Sequence, residues 1–272
     1  MSKDGHLLLV GGGKMGGAML AGWLARGLAP GHVVVVEPAA PAEALRARHG
    51  VTVVASPEAI PPAFRPDVVI LAVKPQSMAA AAPPYRRFAG SGTLFLSIAA
   101  GKTVVALRAL LGPEALIVRA MPNTPAAVGR GMSVCCAGAG VTAAQRSLAT
   151  ALLESVGEVA WVEEEGLIDA VTAVSGGGPA YVFLLAEALA AAGVAAGLPA
   201  ELSAHIARAT VAGSGELLRQ APEPPAVLRQ NVTSPGGTTL EALKVLMAPD
   251  GLQPLLDRAI AAATRRSREL AG

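Results

Sequence analysis

The chain has 272 residues, enough for two domains of ordinary size. Hydrophobic residues make up 52% and charged residues 15%, so much of the surface is expected to be hidden between chains. A net charge of +2, no run of basic residues longer than a pair such as Arg265-Arg266 and 3% aromatic residues exclude nucleic acid as the expected ligand.

Over the first 160 or so residues, short apolar runs rich in β-branched residues alternate with Ala/Leu-rich stretches. The runs are 6–10, 33–37, 51–54, 67–73, 93–98, 115–119, 133–136 and 158–162. Continuous apolar stretches of this length, bounded by Gly, Pro or Asp, read as strands buried on both faces. Helical spacing is found between them at 15–28, 41–49, 76–89, 103–111 and 142–154. Strand–helix–strand repetition predicts a Rossmann-like, doubly wound, mostly parallel sheet.

The first run leads directly into Gly11-Gly12-Gly13-Lys14-Met15-Gly16. Gly11, Gly13 and Gly16 fill a GxGxxG pattern between a strand and a helix, which makes this segment, with Lys14 and Met15, the predicted pyrophosphate cradle. The second run ends in Glu37, at the distance where a carboxylate reads the ribose hydroxyls of NAD and repels the extra phosphate of NADP. Arg46 and Arg48 follow and offer partial compensation, while Pro38 removes a backbone donor. The expected cofactor is NADH or NADPH, with a lean to NADH. Ala72, Val73, Lys74 and Pro75 end the fourth run and are placed beside the cofactor, because ligands of such sheets lie at the carboxyl ends of strands. Asn123 and Thr124, in a loop stiffened by Pro122 and Pro125, offer hydrogen bonds to a nicotinamide ribose or amide.

Cys135 and Cys136 are adjacent in an apolar run, where a disulfide would be strained; they read as small buried residues in a reducing compartment. The N-terminal stretch lacks a signal peptide's apolar core, which predicts a cytoplasmic protein. No spacing of His, Cys, Asp or Glu suits a metal.

After Trp161 no convincing strand occurs. Helices are predicted at 164–174, 179–197, 200–220, 225–231, 238–248 and 251–270, punctuated by prolines. The domains are therefore expected at 1–163, binding the dinucleotide, and 164–272, a helical substrate and dimerisation domain. The stretch 180–198, interrupted by Glu187, Gly193 and Gly197, reads as a helix buried in protein, not lipid. Its apolar faces predict an obligate homodimer through 165–272.

Asn231-Val232-Thr233-Ser234-Pro235-Gly236-Gly237-Thr238-Thr239 runs into a helix, with Thr238 and Glu241 in capping-box spacing. The glycines expose backbone N–H groups, the helix dipole favours negative charge, and three hydroxyls add donors; a carboxylate is the natural guest. Upstream, Ser175-Gly176-Gly177-Gly178-Pro179 opens the long apolar helix and allows close approach of a ligand or another chain.

Together, LVGGGKMGGAM, ILAVKPQ, SIAAGKT, RAMPNTPA, LIDAVTAVSGGGPAYVF and NVTSPGGTTLEAL resemble the pyrroline-5-carboxylate reductase family over nearly the whole chain. The resemblance implies a C-terminal helical dimerisation domain, an active site formed between chains, and assemblies that include rings of five dimers. It also implies that Thr239 bonds the ring nitrogen of the substrate, while Ser234, Gly236, Gly237 and Thr238 hold its carboxylate. Two departures stand out: Gly177 where the family usually has serine, and Glu37-Pro38 where NADPH-preferring members are polar or basic.

The implied reaction is hydride transfer to C5 of 1-pyrroline-5-carboxylate, giving proline. A cyclic iminium is already electrophilic, so orientation supplies most of what is needed, which fits the absence of a histidine beside any motif. A β-hydroxyacid dehydrogenase would need a lysine after the domain boundary, and none occurs between Lys102 and Lys244. The alternatives are a reductase of a related cyclic imine such as piperideine carboxylate and a non-catalytic dinucleotide-binding protein.

Overall fold

The computed structural model describes residues 5–38 and 41–271. The chain divides into two compact units: one runs to Gly176 and takes in the C-terminal stretch from Ala263, and the other is Gly177–Ala262.

In the first unit the order is β1 (Leu7–Val10), α1 (Lys14–Ala25), β2 (Val33–Val36), α2 (Pro41–His49), β3 (Thr52–Val54), β4 (Val68–Leu71), α3 (Met78–Ala81), β5 (Leu94–Ser97), α4 (Val104–Leu111), β6 (Leu116–Met121), β7 (Gly131–Ala137), α5 (Ala143–Leu153), β8 (Gly157–Trp161) and α6 (Leu167–Val171). The strands form one sheet in the order β3-β2-β1-β4-β5-β6-β7-β8. Strand order reverses between β1 and β4, which pair in parallel with Val10 opposite Leu71. All neighbours are parallel except β6 and β7. The link 122–130 explains that exception, since a parallel crossover needs about a dozen residues or more.

Every residue of β1, β2, β4 and β5 is buried. Helices cover both faces, so the strands read as unbroken apolar runs. Leu7, Leu9, Val33 and Val35 pack with Met19, Leu20 and Trp23 of α1. Leu8, Val10, Val34 and Phe95 pack on the opposite face with Met78, Leu107 and Leu111. The Trp23 indole Nε1 donates to the Leu152 carbonyl at 2.9 Å, satisfying the polar atom of the largest buried side chain.

Two predicted helices are broken. The stretch 76–89 consists of a 3₁₀ turn (Pro75–Ser77), the short α3, and a second 3₁₀ turn (Pro83–Phe88). Pro83 and Pro84 remove two backbone donors from its middle, so one continuous α-helix cannot form. The predicted helix 164–174 also divides, into α6 and a π-helical turn, Thr172–Gly176. The predicted helix 15–28 starts at Lys14 and ends at Ala25, just before Gly27 with φ +92°.

The second unit contains α7 (Gly178–Ala195), α8 (Ala200–Gln220), α9 (Pro225–Asn231), α10 (Thr238–Leu246) and the first part of α11 (Leu252–Ala271). The Ser203 hydroxyl of α8 donates to the Ala190 carbonyl of α7 at 2.7 Å, and a Cβ on Gly193 would overlap that hydroxyl. Glycine therefore sets the close approach of the two helices. No residue of α7 is buried within the described chain; Phe183 and Leu184 are each 62% exposed. By length and composition alone, 167–195 would also suit a membrane span.

Cys135 and Cys136 are free and buried. Burial, and secondarily its neighbour Cys136, pushes the Cys135 thiol up to about 12. Burial also raises Cys136, with the Glu165 carboxylate adding to the shift. A raised thiol pKa favours the neutral native form: that stabilisation is complete below the ordinary thiol range and is lost as pH rises toward about 12. Both thiols are expected to resist a disulfide reagent at pH 8 in the native chain and to react at once in guanidinium. Rapid native reaction would contradict this packing.

Candidate functional site

The Gly-rich turn follows β1 at the point where strand order reverses. Gly11 has φ +98°, and a Cβ there would lie 2.8 Å from the Ala72 carbonyl oxygen. Only glycine permits this turn against the end of β4. A Cβ on Gly16 would overlap the Gly11 carbonyl oxygen, so its absence lets α1 sit directly on the turn. A Cβ on Gly13 would meet nothing within 4 Å. Gly13 is exposed and is the N-cap of α1, with no side-chain cap. The N–H groups of Gly13, Lys14 and Met15 head that helix without carbonyl partners inside it. Open backbone donors at a helix N-terminus, with no side chain in front of Gly13, fit a pyrophosphate.

Glu37 lies just beyond β2 and is 8% exposed. Its Oε2 accepts the Gly12 N–H at 2.8 Å, and its own N–H donates to the Val54 carbonyl at 3.0 Å. The carboxylate is thus held beside the Gly-rich turn. Arg46, which the sequence offers as compensation for a 2′-phosphate, is engaged elsewhere. Its Nε and Nη2 donate to the Val53 carbonyl at 3.2 and 2.8 Å.

Ala72 closes β4 onto β1, its N–H donating to the Val10 carbonyl at 2.8 Å. Val73 and Pro75 are partly buried, and Lys74 is exposed at the N-cap of the 3₁₀ turn. Ala72 and the Val73 nitrogen therefore border the Gly-rich turn, and Lys74 and Pro75 follow them in the chain. Asn123, beyond β6, is more constrained than its sequence suggests: its Oδ1 accepts the Met132 N–H at 2.8 Å, and its Nδ2 donates to Ser175 Oγ at 3.2 Å. One amide hydrogen is left for a ligand.

The second predicted cradle lies in the helical unit. Gly236 has φ +69°, Gly237 N donates to the Ser234 carbonyl at 3.1 Å, and a Cβ on Gly237 would overlap the Ser234 hydroxyl. This tight turn delivers the chain into α10. The predicted capping box is absent: the N-cap is Gly237, which places Thr238 inside the first turn and Glu241 one position too far. Glu241 instead pairs with Lys244 Nζ at 2.7 Å on the exposed face. With no side-chain cap, the first N–H groups of α10 stay open beside Ser234, Thr238 and Thr239, all three exposed. Losing the capping box therefore leaves more donors for an anion.

One charged pair escapes motif reading. Arg119, on β6, is 3% exposed and pairs through Nη1 with Glu165 Oε1 at 2.9 Å. The signal was an arginine inside an otherwise apolar strand, which implies a buried partner without naming it.

Residues 165–270 match the family described as pyrroline-5-carboxylate reductase dimerisation, and residues 7–101 match that described as NADP oxidoreductase, coenzyme F420-dependent. A pyrroline-5-carboxylate reductase of Pseudomonas aeruginosa is 40% identical over 268 residues, covering 98% of this chain and 97% of that one. Among solved structures, a pyrroline-5-carboxylate reductase from Coxiella burnetii is 34% identical with a TM-score of 0.92, covering 99% of both chains. A pyrroline carboxylate reductase of Plasmodium falciparum with NADP bound is 29% identical with a TM-score of 0.82, again covering 99% of both. With full-length identity added to a glycine turn at the switch point and an uncapped start to α10, the chain belongs to the pyrroline-5-carboxylate reductase family.

Proposed function

We propose that this chain is a pyrroline-5-carboxylate reductase, completing proline synthesis in the cytoplasm. The observation that carries the reading is the presence of two separate anion cradles in a chain of this family. One is the Gly11–Gly16 turn, and the other is the open start of α10. When bound, a reduced nicotinamide supplies the hydride to C5 of the imine. The chain's own part is to orient. Gly13, Lys14 and Met15 hold the pyrophosphate, Ser234, Gly236, Gly237 and Thr238 hold the substrate carboxylate, and Thr239 donates to the ring nitrogen. Positioning of this kind supplies roughly 7–11 kcal/mol toward a reaction whose acceptor is already electrophilic. Residues 1–163 act as the dinucleotide-binding domain and 164–272 as the substrate and dimerisation domain.

Steady-state oxidation of NADH and NADPH with pyrroline-5-carboxylate tests the reading. Turnover is expected with both, and faster with NADH, because Glu37 is held beside the turn while Arg46 is spent on Val53. Glu37→Gln is expected to move the ratio of the two kcat/KM values about tenfold toward NADPH, by removing one repulsive charge. Absence of turnover with this substrate, but turnover with piperideine carboxylate, would assign the six-membered imine instead.

The exposed apolar residues of α7, among them Val182, Phe183, Leu184 and Leu185, support a homodimer through 165–272, with a ring of five dimers as the larger assembly. Light scattering is expected to give at least a dimer at every concentration. A monomer independent of concentration would refute it.

A further inference from the structure

We propose that Glu165 and Arg119 are positioning residues for the nicotinamide half of the dinucleotide site; the inference rests on the reductase reading above. Arg119 stands on β6 between Ser97 of β5 and Cys136 of β7. Its Nη1 meets Glu165 Oε1 at 2.9 Å, and that same oxygen accepts the Val104 N–H at 2.8 Å. Val104 is the first residue of α4, whose start is also capped by Thr103, its hydroxyl accepting the Ala106 N–H at 3.1 Å. One carboxylate therefore ties the end of the 98–103 turn, which follows β5, to the strand that leads into the Asn123 loop.

Other contacts press on the same two turns. Gly101 has φ +67°, and a Cβ there would sit 3.2 Å from the Leu270 carbonyl oxygen of α11. Asn123 is pinned to Met132 and Ser175. Ser267 of α11 donates to Asp169 Oδ1 of α6 at 2.7 Å, holding the last turns of α11 to the segment that begins with Glu165.

Stability alone explains the pair poorly. Arg119 is 3% exposed and Glu165 27%, so the arginine bears most of the desolvation while the attraction is partly screened, and similar apolar side chains often serve as well. Arg119 Nη2 is buried with no hydrogen-bond partner among the described residues, an added cost. What the pair does achieve is geometric. In doubly wound sheets the first three strands take one mononucleotide and the second three take the other. With the glycine turn and Glu37 on the β1–β3 half, the turns after β5 and β6 fall on the nicotinamide half.

The test is the double variant Arg119→Met with Glu165→Leu, which removes both charges together and so leaves neither one buried and unpaired, while depriving the Val104 N–H of its acceptor. Binding is read by NADH fluorescence and by ADP, which carries only the adenosine half. The expected result is an unchanged melting temperature, an NADH Kd raised about tenfold, and an ADP Kd within about twofold of wild type, as a small misplacement of a positioned group would give. In turnover assays the KM for NADH rises while that for the imine holds. Wild-type NADH affinity in the double variant would overturn the proposal, as would equal weakening of NADH and ADP. If the double variant does not fold, Glu165→Ala, which removes the shared acceptor at this partly exposed position, decides: an unchanged ratio of NADH to ADP affinity overturns the proposal and a raised ratio of Kd values supports it. Wild-type protein that binds NADH but reduces no cyclic imine would sink the reductase reading while leaving this comparison intact.

Discussion

Gly16→Ala is expected to weaken NADH binding by about 100-fold and to lower the melting temperature. The added Cβ would overlap the Gly11 carbonyl oxygen, a backbone atom that cannot rotate aside. Relief requires α1 to move off the glycine turn, and overpacking of this kind costs roughly 1–3 kcal/mol. The upper end of that range is about two decades of affinity. It falls on the ligand as well as on the fold, because the donors of Gly13, Lys14 and Met15 ride on the displaced helix. Gly13→Ala separates the two effects. Nothing lies within 4 Å of its added Cβ, so the melting temperature should hold while dinucleotide binding falls. Unchanged NADH affinity in Gly13→Ala would remove the turn from the binding site.

Thr239→Val is expected to lower kcat roughly 100-fold, the usual scale for losing one donor aimed at a reacting centre. Valine keeps the branched shape and removes the hydroxyl. Thr239 is exposed in the first turn of α10, which begins at Gly237 without side-chain capping, so the helix does not depend on this hydroxyl. The melting temperature and the Kd for NADH should stay at wild-type values, and Thr239→Ser should recover most of the rate. A weakened NADH Kd with unchanged kcat would move Thr239 out of the substrate site. Thr238→Ala, by contrast, should raise the KM for the imine more than it lowers kcat, since it removes a donor to the carboxylate.

Sequence by itself determined the elements whose causes are local. The run Val33–Val36 and its fellows could only be buried strands, prolines at 199, 222, 224 and 225 separated the helices, and the glycine pattern after β1 marked the tight turn into α1. What it misjudged was also local, but finely balanced. One residue of shift in the N-cap at Gly237 turned a capping box into an uncapped helix start, and two prolines at 83 and 84 broke a stretch whose apolar spacing was helical. Pairing across the sheet lay beyond its reach. Glu37 meets Gly12, Asn123 meets Met132 and Ser175, and Arg119 meets a carboxylate 46 residues away, because strand order and register bring them together. Periodicity and capping rules report only on neighbours within a turn or two. Which buried charge finds which partner is decided by tertiary structure, where desolvation makes a lone charge untenable and leaves a matched pair as the form that persists.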